Sequence, residues 1–194
     1  MSVKSKMQAL KKELLLKEAS LLFEETGYQQ MKVADLAKIA GVSIGTIYGF
    51  FDSKEGLYQA YISYQIEIFT QKIKKRTDGL DTTQGKLRVF IEMKFLNYME
   101  KAEALNHSVK NNPFYFSLFY KENAHPFHEI FLFLAECFKS INKDLDDNSA
   151  MELTYLFNGF TDGYVSRWFD VHDDLMAKTD KALEHFISIA KGYK

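Results

Sequence analysis

The residues best suited to chemistry in this sequence are a lysine and several hydroxyl side chains between positions 43 and 54. Thr46 and Tyr48 carry hydroxyls that can donate hydrogen bonds to phosphate oxygens. Lys54 lies near the start of a predicted helix, where its positive charge adds to the unpaired backbone N–H groups of the first turn. These groups have the chemistry to contact phosphate, and a nucleic-acid backbone is a partner that supplies phosphate.

Residues for catalysis or metal binding do not form a comparable pattern. His125 and His128 lie three positions apart near a predicted helix start, but no nearby cysteine or convincing third ligand accompanies them. The chain lacks the serine, histidine and aspartate order of hydrolases, a phosphate-binding loop and a dinucleotide fingerprint. We therefore expect no metal, no cofactor and no enzymatic activity.

Two short predicted helices, at about 33–40 and 44–51, position the phosphate-binding groups. Gly41 can take the left-handed conformation that the intervening turn needs, and Ser43 can cap the second helix. The residues expected to bury the contact between the two helices are Leu36, Ala37, Ala40, Val42 and Ile47. Two short helices joined by a glycine-containing turn are typical of a DNA-binding helix-turn-helix, whose second helix enters the major groove.

The 3.6-residue periodicity predicts helices along the whole chain. The first runs from about Met7 to Thr26, with Gly27 as its stop, and its apolar stripe is expected to contain Leu10, Leu14, Ala19, Leu22 and Phe23. Ser53 can cap a fourth helix that reaches about Arg76, and five more begin near residues 83, 113, 126, 148 and 173. We predict an all-α fold of about nine helices: an N-terminal helix-turn-helix domain, residues 1–54, and a C-terminal helical effector-binding and dimerisation domain, residues 55–194.

Composition supports a folded helical protein with an uneven charge distribution. The 194 residues are 46% hydrophobic and include only 2 prolines, which favours a substantial core and long helices. Residues 1–76 contain 12 Lys and Arg against 8 Asp and Glu, a net charge of +4, whereas residues 77–194 contain 13 against 18, a net charge of −5. The basic first third is compatible with phosphate contact.

Cysteine use and hydropathy predict a cytoplasmic protein without a membrane partner. The lone Cys137 cannot form an intramolecular disulfide, and no cationic, apolar leader is recognisable at the N-terminus. No apolar run approaches the roughly 18 to 20 uncharged residues that span a bilayer.

The segment between residues 19 and 57 resembles the TetR family of bacterial regulators. The spaced residues that carry the resemblance are Ala19, Leu22, Phe23, Gly27, Tyr28, Leu36, Ala37, Ala40, Gly41, Val42, Ser43, Gly45, Thr46, Ile47, Tyr48, Phe51, Ser53, Lys54 and Leu57. The sequence departs from the family pattern at Lys32, where Ser or Thr is usual, and at Gly49, where a larger residue is common.

The resemblance implies DNA-contacting roles by position. Thr46, Tyr48 and Lys54 correspond to phosphate contacts, and Ile44, Gly45 and Phe50 to positions that face base edges. The full set of expected DNA-contacting residues is Lys32, Ala34, Ser43, Ile44, Gly45, Thr46, Tyr48, Gly49, Phe50 and Lys54. The structural alternative is that individual members of this set only pack the three-helix unit.

The resemblance also implies a homodimer built by the last two long helices. Gly159 and Gly163 lie one turn apart, a spacing that lets another helix approach closely. The residues expected at the interface or in its immediate support are Leu153, Leu156, Gly159, Gly163, Leu183, Phe186, Ile187 and Ala190. The alternative is that both glycines accommodate packing within one subunit.

Aromatic residues crowd the middle of the chain and suggest a pocket. The segment from Pro113 to Glu122 is aromatic on nearly every side, more than one packed face needs. The residues expected to line an apolar effector pocket between the fifth to eighth predicted helices are Phe95, Tyr98, Met99, Phe116, Tyr120, Phe131, Tyr155, Asn158 and Trp168. Because charge is scarce among them, we expect an apolar or aromatic effector. The alternative is that these residues are simply core.

The sequence therefore predicts a dimeric repressor that binds a palindromic double-stranded operator and leaves it when a small apolar or aromatic effector binds. The alternative function is a small-molecule-binding or enzymatic helical protein that retains an inherited helix-turn-helix. Direct DNA binding distinguishes the two.

Overall fold

The computed structural model of the chain describes residues 2–100 and 127–193. The predicted helix at Pro113, the predicted effector residues Phe116 and Tyr120, and His125 lie outside these ranges. The described residues form eight α-helices and one 3-10 helix, and no strand. The helices are α1 (Val3–Gln30), α2 (Val33–Ala40), α3 (Ile44–Phe51), α4 (Lys54–Thr77), α5 (Thr83–Glu100), α6 (His128–Ile141), α7 (Asp147–Val171), the 3-10 helix (Met176–Lys178) and α8 (Thr179–Gly192). The expected all-α class is confirmed.

The described chain divides into two compact units. One contains residues 2–67, and the other contains residues 68–100 and 127–193. Helix α4 therefore contributes its first part to the N-terminal unit and its last part to the C-terminal unit. The predicted domain boundary after residue 54 stays a prediction.

Helix α1 buries only the later part of its predicted apolar stripe. Ala19 and Phe23 are buried as predicted, whereas Leu10 and Leu14 are 57% and 55% exposed, and Leu15 and Leu16 are buried in addition. At 100° per residue, α1 has apolar residues on two opposite faces, and periodicity alone does not tell which face the rest of the domain covers. The predicted stop at Gly27 is confirmed as a break, because this glycine has φ 71° and ψ 167° within a helix that continues to Gln30.

Phenylalanines from four helices meet in the core of the C-terminal unit. The ring centroid of Phe157 in α7 lies 5.6 Å from that of Phe90 in α5, 5.4 Å from that of Phe138 in α6 and 4.7 Å from that of Phe186 in α8. Such close aromatic pairs add about 0.5 to 1.5 kcal/mol each beyond the area they bury. The core thus joins α5, α6, α7 and α8.

The last predicted helix begins later than expected. His172, with φ 52° and ψ 35°, ends α7 in the left-handed conformation. Asp174 then accepts a hydrogen bond from the backbone N–H of Ala177 at 3.0 Å, so the chain forms a short 3-10 turn before α8 begins at Thr179. A helix start at residue 173 is therefore wrong.

No single helix in the described part of the chain is long and apolar enough to cross a membrane. Helices α2 and α3 meet the length and composition criteria only as a pair, and the chain bends by 108° between them.

Candidate nucleic-acid interface

Helices α2 and α3 form a helix-turn-helix. The chain bends by 108° between them, within the roughly 90–120° of this motif. Gly41 ends α2 with φ 63° and ψ 35°, and the N–H of Val42 donates to the Ala37 carbonyl at 3.0 Å. The left-handed conformation predicted for Gly41 is therefore confirmed. Leu36 and Ile47 have no exposed surface, so the contact between the two helices is fully packed.

Ser43 caps α3 as predicted. Its Oγ accepts a hydrogen bond from the Thr46 N–H at 3.0 Å and lies 2.9 Å from the Thr46 Oγ1. A serine in this position satisfies a backbone N–H that the helix leaves unpaired, which is worth about 1 kcal/mol. Lys32 precedes α2 in the equivalent position and makes no side-chain cap, which follows from its lack of an acceptor.

Most of the predicted contact residues of α3 are exposed. Ile47 and Phe51 are buried, whereas the predicted contact residues at 44, 45, 48 and 49 are exposed. Ile44 and Tyr48 are 43% and 40% exposed. Phe50 is half-buried. The exposed residues at 44, 45, 48 and 49 form the solvent-facing surface of α3, and Thr46, like Phe50, is half-buried.

Lys54 is held in place by the end of α1. Its ammonium donates to the Gln29 carbonyl at 3.3 Å and lies 4.7 Å from the centre of the Tyr28 ring. The Tyr28 hydroxyl in turn donates to Glu55 Oε1 at 2.7 Å. Burial and this carboxylate raise the pKa of Tyr28 to about 12. Because the lysine side chain is already confined, it would lose less conformational entropy on binding phosphate than a freely moving one.

This arrangement was not predicted from the sequence. Tyr28 contributes to the family resemblance, but no spacing rule connects it with a lysine that follows 26 positions later. Lys32 and Ala34, the other two predicted contact residues, are both exposed at the start of α2.

Gly56 is a second residue that the sequence analysis did not single out. A Cβ at this position would lie 2.0 Å from the backbone oxygen of Phe51. That oxygen also accepts a hydrogen bond from the Ser53 N–H at 2.7 Å, so the end of α3 and the first turn of α4 approach closely. Gly56 is needed for this approach, whereas a Cβ at Gly49 would meet no atom within 4 Å.

The predicted effector residues are only partly brought together. Among those that the structure describes, Phe95, Tyr98 and Phe131 are buried, Met99 and Tyr155 are exposed, and Asn158 and Trp168 are half-buried. Phe131 and Tyr155 meet edge to face with centroids 4.9 Å apart, whereas Phe95 packs against Tyr164 at 6.2 Å. The assignment of these residues to a pocket stays a prediction.

A buried charge lies beside one of these residues, which corrects the expectation that charge is scarce there. The Lys94 ammonium pairs with Asp162 Oδ1 at 2.7 Å and also contacts Asn158 Oδ1 at 2.8 Å and Thr161 Oγ1 at 2.9 Å. The Lys94 side chain is only 8% exposed. Burial lowers the pKa of Lys94, and the Asp162 carboxylate partly opposes that shift. Asn158 also donates to Asp162 at 3.0 Å, so its amide serves this network.

The predicted dimer residues separate into an inner and an outer set. Leu153, Phe186, Ile187 and Ala190 are buried in the subunit, Leu183 is half-buried, and Leu156, Gly159 and Gly163 are exposed. The exposed three share one face of α7, and a Cβ at either glycine would meet no atom within 4 Å. Among the described residues, no packed neighbour accounts for the two glycines, and their place in an interface stays a prediction.

The sequence comparisons identify the family of the N-terminal domain. Residues 15–61 match the family model described as bacterial regulatory proteins, tetR family. The chain is 29% identical over 91 residues to the HTH-type transcriptional regulator BetI of Pseudomonas fluorescens, and the match covers 46% of each chain. The chain thus spans about half the length of the curated relatives it matches.

Solved structures match nearly the whole chain in fold. The fatty acid degradation regulator FadR from Bacillus halodurans superimposes with a TM-score of 0.65 at 21% identity, covering 91% of this chain and 94% of that one. FadR from Bacillus subtilis in complex with stearoyl-CoA gives 0.61 at 23% identity, covering 90% and 96%. The N-terminal segment 15–61 is thus similar to the tetR family of bacterial regulatory proteins, and the solved structures share the fold.

Proposed function

We propose that the protein is a transcriptional regulator that binds double-stranded DNA through α3 and has no enzymatic activity. The observation that carries the proposal is the solvent-facing surface of α3, which lies between the Ser43 cap and the confined ammonium of Lys54. The placement supports insertion of α3 into a major groove, with Thr46, Tyr48 and Lys54 on phosphates and Ile44, Gly45, Gly49 and Phe50 towards the bases. The names of the curated relatives support the same class of protein.

The base-facing positions favour apolar and close backbone contacts. Ile44 and Phe50 can touch a thymine methyl, and the two glycines let the helix backbone approach the duplex. Lys32, Ala34 and Ser43 would contact the DNA from the start of α2 and the turn. We propose that the protein acts in the cytoplasm, because a regulator must reach DNA. We also propose that it is a repressor.

Selection from a random pool of duplexes tests this proposal. The wild-type protein is expected to enrich one inverted repeat at low salt, because two recognition helices read two half-sites. On that duplex, Lys54→Ala should weaken binding about tenfold and lower the salt slope by about 1 per subunit, because a phosphate contact is lost. Tyr48→Phe should also weaken binding.

The matched control is Lys143→Ala, which removes an exposed lysine from the C-terminal unit and should leave the affinity unchanged. Recovery of no enriched duplex would contradict the proposed function and favour a helical protein with an inherited helix-turn-helix.

We propose further that the protein works as a two-fold homodimer through α7 and α8. The exposed face of α7 with its two open glycines supports close approach of a partner helix. Two-fold symmetry would also match a palindromic operator.

Gly163→Leu is expected to convert the dimer to monomers and to abolish operator binding. The subunit itself should still fold, because no atom lies where the new side chain begins. Sedimentation velocity and circular dichroism measure the two properties. Lys143→Leu, which places an exposed leucine in the loop before α7, is the control and should remain dimeric. An unchanged dimer in Gly163→Leu would remove this face from the interface.

A small apolar or aromatic effector is proposed to regulate DNA binding from the C-terminal unit. The buried Phe95, Tyr98 and Phe131 support an apolar environment, and the related fold of FadR accepts stearoyl-CoA. Because Lys94 already has protein partners on its ammonium, it does not call for a charged ligand. The effector would act by preferring one of two conformations, with a coupling of about 1 to 3 kcal/mol.

A thermal-shift panel of fatty acids, acyl-CoA thioesters and aromatic metabolites tests the effector. At least one compound should raise the melting temperature and release the protein from its operator. A compound that stabilises the protein without changing DNA affinity, or no stabilising compound at all, would contradict this form of regulation. Asn158 is unsuitable for mutation here, because its replacement would also disturb Lys94.

A further inference from the structure

The first three turns of α1 extend beyond the part of the domain that matches the family. The family match begins at residue 15, whereas α1 begins at Val3. Every side chain from residue 6 to residue 14 is exposed, and the first buried residue of α1 is Leu15. We call residues 3–14 the basic arm. Its side chains contribute almost nothing to the core, so its sequence is free to serve another purpose.

The basic arm carries four lysines and one acidic residue, Glu13. Among the described residues, no carboxylate forms an ion pair with Lys4, Lys11 or Lys12. These cations are therefore solvated and available to an anionic partner. These three lysines are a quarter of the 12 lysines and arginines in residues 1–76, where the net charge is +4.

One contact places the basic arm beside the recognition helix. The Lys12 ammonium lies 5.5 Å from the ring centre of Phe51, the last residue of α3. From residue 12 back to residue 3 the helix covers about 14 Å at 1.5 Å per residue. The arm is thus long enough to pass along about four base pairs from the end of α3, at 3.4 Å per pair.

We propose that Lys4, Lys11 and Lys12 bind DNA phosphates that flank each half-site, so that the basic arm extends the footprint beyond the helix-turn-helix. This inference rests on the proposed DNA-binding function. Unpaired charge, adjacency to α3 and sufficient length all favour DNA over other anionic partners. The contacts add affinity and salt dependence, and they are not expected to select bases.

The experiment compares two duplexes that carry the same selected inverted repeat, one ending at the half-sites and one with six extra base pairs on each side. The variant is Lys4→Gln/Lys11→Gln/Lys12→Gln, which removes charge and keeps a good helix former at each position. Its matched control is Lys72→Gln/Lys75→Gln/Lys143→Gln, which removes the same charge from exposed positions of the C-terminal unit. Fluorescence anisotropy gives the dissociation constant from 50 to 300 mM salt.

The wild type is expected to bind the long duplex with a steeper salt dependence than the short one. The arm variant should lose this difference. Each missing phosphate contact lowers the magnitude of the salt slope by about 0.9, so three missing contacts in each of two subunits should lower it by about 5. The control triple variant should retain it. Equal slopes for the arm variant, the control and the wild type on the long duplex would overturn the role of the arm while leaving the DNA-binding function intact.

The apolar side chains of the same helix provide the competing explanation. Val3, Met7, Leu10 and Leu14 form an exposed apolar stripe on the arm, which a second copy of the chain could cover instead. In that case sedimentation would show an assembly larger than a dimer that Leu10→Gln/Leu14→Gln dissociates, and the lysine variant would have no effect on the salt slope. Failure of the wild type to bind either duplex would refute the proposed function together with this inference.

Discussion

Asp162→Asn is expected to lower the free energy of unfolding by about 2 to 3 kcal/mol. The substitution keeps the shape of the side chain but leaves the Lys94 ammonium, only 8% exposed, without its carboxylate. Breaking a buried ion pair on one side typically destabilises by about 3 to 5 kcal/mol, and the partial exposure of Asp162 reduces that figure. Urea denaturation followed by circular dichroism measures the change.

The effect should also depend on pH. Burial lowers the pKa of Lys94 in the native state below its ordinary 10.5. At pH values between the native pKa and the unfolded pKa, the unfolded chain therefore binds more protons than the native chain. Stability therefore rises with pH across that window. Loss of Asp162 removes a group that raises the native pKa, so the window of the variant begins at lower pH. The difference in stability between variant and wild type should accordingly shrink as pH rises from 7 towards 10.

Asp180→Asn is the matched control, because it also removes the partner of an α5 cation. Arg88 Nε pairs with Asp180 at 2.8 Å, but the Asp180 side chain is 77% exposed. Exposed pairs contribute little to stability, and we expect almost no change. A loss of stability in Asp180→Asn as large as in Asp162→Asn would contradict the special role of the buried pair.

Gly56→Ala is expected to destabilise the N-terminal unit by about 3 kcal/mol and to abolish operator binding. The new Cβ would lie 2.0 Å from the Phe51 carbonyl oxygen, which belongs to backbone and cannot rotate away. The end of α3 would have to move relative to α4, and forced overpacking of this kind costs about 1 to 3 kcal/mol or more. Denaturation and anisotropy with the selected duplex measure both effects.

Gly49→Ala provides the opposite outcome from the same chemical change. Its Cβ enters open space on the exposed face of α3, so the helix should become more stable by up to about 1 kcal/mol. If Gly56→Ala were as stable as Gly49→Ala, the close approach between α3 and α4 would not exist in solution.

The helix-turn-helix was predictable because its determinants are local. Gly41, Ser43 and the apolar spacing around Leu36 and Ile47 each act within a few residues, and the structure confirms the conformation of Gly41 and the cap of Ser43. The exposure of Leu10 and Leu14 in α1 was not predictable, because the apolar stripe continues beyond the residues that the rest of the domain covers.

Residues that depend on tertiary contacts escaped prediction. Lys94 has the spacing of an ordinary helical lysine, and its burial follows from α7, which begins more than 50 residues later. Gly56 lies in a helix, and a glycine is needed there because the chain turns sharply between α3 and α4. Asp52, with a φ of 62°, lies in that turn. The confinement of Lys54 by Tyr28 and Gln29 likewise arises only when the ends of α1 and the start of α4 come together.

Sequence-specific DNA binding by α3 is tested by a ratio of two dissociation constants. The dissociation constant of the wild-type protein is measured at 150 mM salt on the selected inverted repeat and on a scrambled duplex of the same length and composition. Specific regulators bind their sites about 10³ to 10⁷ times more tightly than other DNA, and we predict a ratio of at least 10³. Equal dissociation constants on the two duplexes would contradict sequence-specific DNA binding by α3.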